Sequence, residues 1–284
     1  MGIGKKFSNK YAYFVLIAVA LLLLALYIYK TCFTENFTKR YKLAVISVFK
    51  KETMNLRVWL DHYISQGVSH FYLTDNGSTD NPLNILQPYI DSGLVSYVYN
   101  EKKHNQEGNI RSMVDNYDIK RNVKWLINCD LDEFFFGLKA PLVDVIDDYE
   151  QYDVIYTNWC MFGSNGLDKH PPDIRTAITA RKEALHDDSV NKYIFQPAKL
   201  HNTDNITVHS LSGDYRSIRE NESIRLYHYP IQSREFFEKV KMTRGDVYTS
   251  NNESVRDWTY FDMFNGYVDT EDSTLRNIVL YGYE

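Results

Sequence analysis

Two aspartates separated by one residue, Asp130 and Asp132, stand where a buried strand should end. The run Val123-Lys124-Trp125-Leu126-Ile127-Asn128 leads into Cys129-Asp130-Leu131-Asp132-Glu133, and three phenylalanines, Phe134 to Phe136, follow. Alternate residues of a strand point to the same side, so the two carboxylates are expected to face one cation together. Hard divalent cations such as Mg²⁺ and Mn²⁺ take oxygen ligands, commonly one or two carboxylates completed by phosphate oxygens. Acids flanked by so many apolar residues would be costly to bury without such a partner. The pattern therefore points to a metal–diphosphate site. A solvated acidic turn is the simpler alternative, and the apolar neighbours on both sides argue against it.

Other residues carry chemistry of the same kind. Asp75, in Leu73-Thr74-Asp75-Asn76-Gly77-Ser78-Thr79-Asp80, sits at a strand end, where an acid can accept from a nucleotide base or ribose. Asn76 and Gly77 would let the backbone approach that ligand; a purely structural β–α turn explains the same composition. Asn76 also opens an Asn-x-Ser triplet, and a glycan there would block the site, so it is expected to stay unmodified. Arg111 can neutralise a diphosphate or contact the base, against the alternative of a solvated helix arginine. Trp159 and Phe162 precede Gly163-Ser164-Asn165-Gly166, a loop suited to a sugar, and either ring can pack on an acceptor or in the core. His228 ends the alternating run Arg225 to Tyr229, where a neutral imidazole can ligate a metal. Lys239, Lys241 and Arg244 lie just beyond it and can meet a phosphate.

These residues need a scaffold, and the hydrophobic pattern supplies one. Leu43 to Phe49 is a continuous apolar run, as in a strand covered on both faces. A helix is expected over 54–66 and a strand over 68–74. A short helix over 82–91 would have Asn81 as N-cap and Pro82 at its first position. A strand over 94–99, a helix over 109–121 and a strand over 123–129 complete the alternation. That order implies an α/β fold with a mostly parallel sheet and helices on both faces, whose ligands bind outside the carboxyl ends of the strands. Asp75 to Asp80 and Asp130 to Glu133 both fall there. Farther on, 154–161 and 223–229 read as strands and 234–241 as a helix. One domain over 42–284 is the simplest count.

The N-terminus reads differently. Tyr11 to Tyr29 contains no charge, and as a helix it would be roughly 28 Å long, about a bilayer core. Thr31-Cys32-Phe33 offers no small-residue cleavage site, so the run is expected to be a transmembrane anchor and not a cleaved signal peptide. A cytoplasmic tail over 1–10 and a stem over 30–41 would flank it. Residues 1–42 hold seven Lys/Arg and one acid, a net of +6, which leaves −11 of the chain's −5 for the remainder. A domain that acidic is a poor binder of nucleic acid. Three cysteines form no disulfide framework, and no Cys/His spacing suggests zinc. Asn-x-Ser/Thr triplets begin at Asn36, Asn76, Asn205, Asn221 and Asn252 and are compatible with a lumenal location.

Taken in order, several segments resemble the GT-A-type family 92 glycosyltransferases, formerly a domain of unknown function, and related family-2-like transferases. They are Trp59-Leu60-Asp61-His62-Tyr63 with Gly67-Val68, Phe71 to Asp80, Trp125 to Phe134, Phe162-Gly163-Ser164, Lys192 to Pro197, and His228-Tyr229 with Ser233, Phe236, Lys239, Arg244 and Gly245. The resemblance spans roughly residues 42–246. It implies transfer of a sugar, often galactose, from a UDP-sugar to a glycan acceptor with inversion. It implies Mn²⁺ (or Mg²⁺) held by Asp130, Asp132 and His228. It also implies a type II membrane protein with a lumenal catalytic domain in a Golgi-like membrane. Inversion needs a general base, for which Glu183, Asp187, Asp188 and Asp214 are the candidates. A nucleotidyltransferase or phosphodiesterase using the same acids, or an inactive membrane-anchored glycan-binding module, are the alternatives. The chain has little N-terminal stem, so donor and acceptor stay open.

Overall fold

The structure is a computed structural model that describes residues 12–24, 39–185, 191–244 and 256–283. The chain divides into two units, Met1–Arg40 and Tyr41–Glu284. In the first, residues 12–24 are helical. No helix among the described residues is long and apolar enough to cross a membrane. The expected anchor over 11–29 extends beyond the described residues, and Asp187, Asp188, Asn36, Asn252 and Gly245 lie outside them too.

The second unit is mixed α/β. Its first strands are β1 (Tyr41–Phe49), β2 (His70–Asp75), β3 (Val95–Tyr99), β4 (Val123–Asn128), β5 (Glu133–Gly137) and β6 (Val154–Met161). Then come β7 (Ala180–Arg181), β8 (Asn191–Phe195), β9 (Ser217–Arg219), β10 (Ile224–His228) and β11 (Thr270–Glu271). The main sheet runs β3-β2-β1-β4-β8-β6-β10-β5, with β9 on β6, while β7 and β11 pair separately. Pairing is parallel from β3 to β4. Beyond β4 the sheet is mixed: β8 runs antiparallel to both β4 and β6, and β5 antiparallel to β10. The expected parallel sheet is thus the first half of a mixed one.

The continuous apolar run of β1 has a direct cause. Leu43 and Val45 join one core with Leu56, Trp59, Leu60 and Tyr63 of helix α1 (Thr53–Ser65) and with Leu86 of helix α2 (Leu83–Asp91). Ala44, Ile46 and Val48 join a second core with Ile110, Met113 and Val114 of helix α3 (Gln106–Asn116). A strand with helices on both faces has no solvated side, so strict alternation disappears. Gly67 closes α1 at φ +84°, and a Cβ there would stand 2.2 Å from Val143 Cγ1. Both the backbone and the space demand glycine.

Some boundaries differ from the sequence pattern. Asn81 is not a side-chain cap. It takes a left-handed conformation at φ +56°, and Pro82 stands at the cap position of α2. The helix expected over 109–121 is two pieces, because Asp118 turns left-handed at φ +51° between α3 and a single turn at Ile119–Asn122. The stretch 234–241 opens as one helical turn, Arg234–Phe236, and widens into a π-helix over Phe237–Lys241. π-turns of this kind occur often at functional sites.

Candidate active site

β4 ends at Asn128, so Asp130 and Asp132 do not share a face through the pleat of a strand. They sit on a tight turn between β4 and β5, closed by Glu133 N–H donating to Asp130 O at 3.1 Å. The turn is held from several directions. The Glu133 carboxylate accepts from Asp130 N–H at 2.8 Å, and Trp59 Nε1–H of α1 donates to Asp130 O at 3.1 Å. Tyr63 OH donates to Glu133 O at 3.0 Å and accepts from Phe135 N–H at 3.0 Å. Just past β10, Tyr229 N–H donates to Asp132 O at 2.9 Å.

Each aspartate also meets a fully buried lysine. Asp130 accepts from Lys192 Nζ at 2.9 Å and from Gln106 Nε2 at 2.8 Å, and Lys192 lies 3.6 Å from Glu133. Asp132 accepts from Lys241 Nζ, which is 3.8 Å from Glu52; Arg244 in turn pairs with Glu52. Burial alone would raise both aspartates, but Lys192 outweighs it at Asp130, and Lys241 with His228 holds Asp132 well below the carboxylate range. Burial would likewise pull Lys192 down, yet Asp130 and Glu133 carry it above the ordinary lysine value. At Glu52 and Glu133 burial prevails and pushes both acids up.

Asp130, Asp132, Trp159, His228 and Arg244 line one cavity at the carboxyl end of the parallel strands, together with Lys50, Glu52, Gln106, His209 and Arg256. His228 Nε2 lies 3.7 Å from Asp132 Oδ1, too far for a hydrogen bond. Burial lowers its pKa, with Asp132 pulling the other way, and the ring is a neutral imidazole at pH 7. The Trp159 ring packs against it with centroids 4.3 Å apart.

A divalent cation fits here. Asp132, Glu133 and His228 each offer a ligand atom within 4.8 Å of the others, and carboxylate oxygen plus imidazole nitrogen suits Mn²⁺. His228 Nδ1 and Glu133 Oε1 are buried without hydrogen-bond partners among the described residues. The compact trio contains Glu133, whereas the sequence pattern put Asp130 in that place. Asp130 instead faces Lys192 and Gln106.

The remaining expected residues sit elsewhere. Both oxygens of Asp75 are engaged, accepting from Ser78 N–H at 2.7 Å and Tyr97 OH at 2.9 Å, as a turn requires. Asn76 donates through Nδ2 to Asn100 O and Lys102 O. Arg111 is not among the residues lining the cavity. Its guanidinium donates to Ile206 O at 2.7 and 3.1 Å and to Glu107 at 2.9 Å. Glu183 and Asp214 are exposed and also off the cavity wall. Phe162 is packed in the core between Tyr227 and Tyr229. Lys239 pairs with Glu235 at 2.7 Å, and Lys241 meets Asp132 where a phosphate was expected.

Among solved structures, S. aureus TarS residues 1–349 in complex with UDP is similar at 17% identity and a TM-score of 0.46, covering 70% of this chain and 63% of that one. A second structure of S. aureus TarS aligns at 17% identity and a TM-score of 0.42, covering 84% and 44%. GalNAc-T7 with UDP, GalNAc and Mn²⁺ aligns at 16% identity and 0.38, covering 66% and 43%. The chain thus spans somewhat less than two-thirds of the TarS fragment. No curated protein matches it. The glycosyltransferase family 92 model matches residues 43–265, most of the chain, and the chain belongs to that family.

Proposed function

We propose that this chain is a metal-dependent transferase that moves a sugar from a nucleoside diphosphate sugar, UDP-linked, to a hydroxyl of a glycan, with inversion. The observation that carries the reading is the cavity wall, where Asp130, Asp132 and His228 stand with Arg244, Arg256 and Lys50. Acids beside cations are what a diphosphate with its own divalent cation needs. Asp132 and His228, with Glu133 or Asp130, would hold Mn²⁺ (or Mg²⁺), which when bound supplies a Lewis acid for the leaving diphosphate. Arg244, fixed by Glu52, presents a cation to the phosphates. The ring of Trp159 offers a flat wall to a sugar. Galactose is the proposed donor sugar. The proposed location is a Golgi-like membrane, with one N-terminal anchor and a lumenal domain.

The test is a screen of the full chain against UDP- and GDP-sugars with Mn²⁺, reading released nucleotide. UDP release that EDTA abolishes and Mn²⁺ restores is expected. Full turnover in EDTA counts against the metal, and phosphodiester cleavage without sugar transfer would favour the nucleotidyltransferase or phosphodiesterase reading.

A further inference from the structure

Inversion in one displacement needs a group that takes the proton of the attacking hydroxyl, and the acids expected for this, Glu183 and Asp214, are exposed and do not line the cavity. The acids that do line it are committed. Asp130 is bound by Lys192 and Gln106 and Asp132 by Lys241, while Glu52 holds Arg244 through Oε1 and its other oxygen is buried away from solvent. A different cavity-lining group has a bare acceptor.

His209 projects from a small hairpin whose ends pair at Ile206 and Leu211 and whose turn is closed by Thr207 N–H donating to Ser210 O at 3.0 Å. The hairpin is tied to β8, to α3 and to the end of β4 that leads into the aspartate turn. Tyr193 OH donates to Thr207 O at 2.6 Å and Asn128 Nδ2 does so at 3.2 Å, while Arg111 grips Ile206 O from α3. The ring itself is oriented by two contacts. Its Nδ1 lies 3.1 Å from Asn191 O, and the Trp159 ring meets it edge-on, centroids 5.5 Å apart at 81°. A carbonyl oxygen only accepts, so Nδ1 must carry the proton, and in the neutral ring the lone pair then belongs to Nε2. No hydrogen bond to Nε2 exists among the described residues. Burial lowers the pKa of His209, as does the nearby Lys192, which keeps the ring neutral at pH 7.

We infer that His209 is the general base of the transfer, its Nε2 accepting the proton of the acceptor hydroxyl. The inference rests on the transferase reading above. The acceptor oxygen forms its bond to the anomeric carbon as that carbon's bond to the β-phosphate oxygen breaks. The electron pair of the broken bond leaves with the diphosphate. The hydroxyl proton passes to Nε2, giving an imidazolium that later releases it to solvent. Arg111, sought as a phosphate ligand, becomes a positioning residue for the hairpin.

The experiment compares the full wild-type chain with His209→Gln and His209→Ala, using whichever UDP-sugar the wild type consumes with Mn²⁺. A positioned base contributes roughly 10²- to 10⁴-fold, so kcat should fall by at least a hundredfold in both variants. UDP affinity by calorimetry should change less than threefold. Added imidazole should restore part of the His209→Ala rate, which a structural role would not allow. Nitrogen-15 spectra of the wild type should show a protonated Nδ1 and a bare Nε2. Turnover of His209→Gln within threefold of wild type, a loss of UDP affinity that matches the loss of rate, or a protonated Nε2 in the neutral ring would each overturn the assignment. A wild type that neither binds UDP nor consumes any nucleotide-sugar would sink the transferase reading, and this inference with it.

Discussion

Asp132 has two charged obligations, and they separate in a mutant. As a proposed metal ligand it is needed for turnover; as the partner of fully buried Lys241 it is needed for stability. Breaking a buried pair from one side typically costs about 3–5 kcal/mol, because the other charge stays behind unpaired. Asp132→Asn should therefore abolish UDP release and also lower unfolding stability by about 3 kcal/mol, the lower end because Glu52 remains 3.8 Å from Lys241. Adding Lys241→Met should recover much of the stability in urea unfolding and none of the turnover. A double variant no more stable than Asp132→Asn would mean that the pair is not what holds this region. The aspartates and His228 were legible because their chemistry is written locally, in one short motif and one strand end. The pairing of Lys192 and Lys241 with them was not, since it joins Asp130 and Asp132 across 62 and 109 residues. The partners of Asp75 and Arg111 lay hidden for the same reason: a local reading gives a side chain its chemistry but not its partner.

At the scale of elements, the segment Trp59 to Tyr63 acquires a physical meaning. Trp59 and Tyr63 hydrogen-bond the backbone of the aspartate turn, and His62 Nε2–H donates to Phe135 O at 2.8 Å. One face of α1 thus clamps the turn and the strand that follows. Burial, and secondarily Arg175, lower the His62 pKa from the ordinary 6.5 to about 3. The unfolded chain therefore binds a proton on His62 between those two values and the folded chain does not. The stability His62 confers is full above pH 6.5 and declines as pH falls toward 3. His62→Gln should flatten that part of the stability curve in urea unfolding measured from pH 7 to pH 4; an unaltered acid slope would contradict the assignment. The strands β1 to β4 were legible because helices cover both faces and leave long apolar runs. β8 escaped because Asn191 and Lys192, buried polar residues of the site, interrupt its pattern, yet it lies in the middle of the sheet. β5 escaped because its phenylalanines follow directly on the acidic turn and were read as that turn's flank. Function thus concealed the two strands nearest to it.

For the whole molecule, charge and glycan acceptors bear on topology. The basic first 42 residues carry three lysines before the apolar run Tyr11 to Tyr29 and three lysines with one arginine after it. That symmetry does not choose an orientation, and the proposed one leaves the N-terminus in the cytoplasm. The acidic domain would then face the lumen, where its Asn-x-Ser/Thr triplets meet the glycosylation machinery. Asn76 should nevertheless stay bare, because its Nδ2 is buried and donates to Asn100 O and Lys102 O at 2.7 and 2.9 Å. A nitrogen so engaged leaves no place for a glycan in the folded chain, and peptide mapping of the protein expressed through a secretory pathway should find none there. Orientation itself is checked by adding protease to sealed microsomes. Protection of residues 41–284 is expected, with digestion only once detergent opens the vesicles. Cleavage of that unit in intact vesicles would establish the opposite orientation and remove the domain from lumenal sugar acceptors.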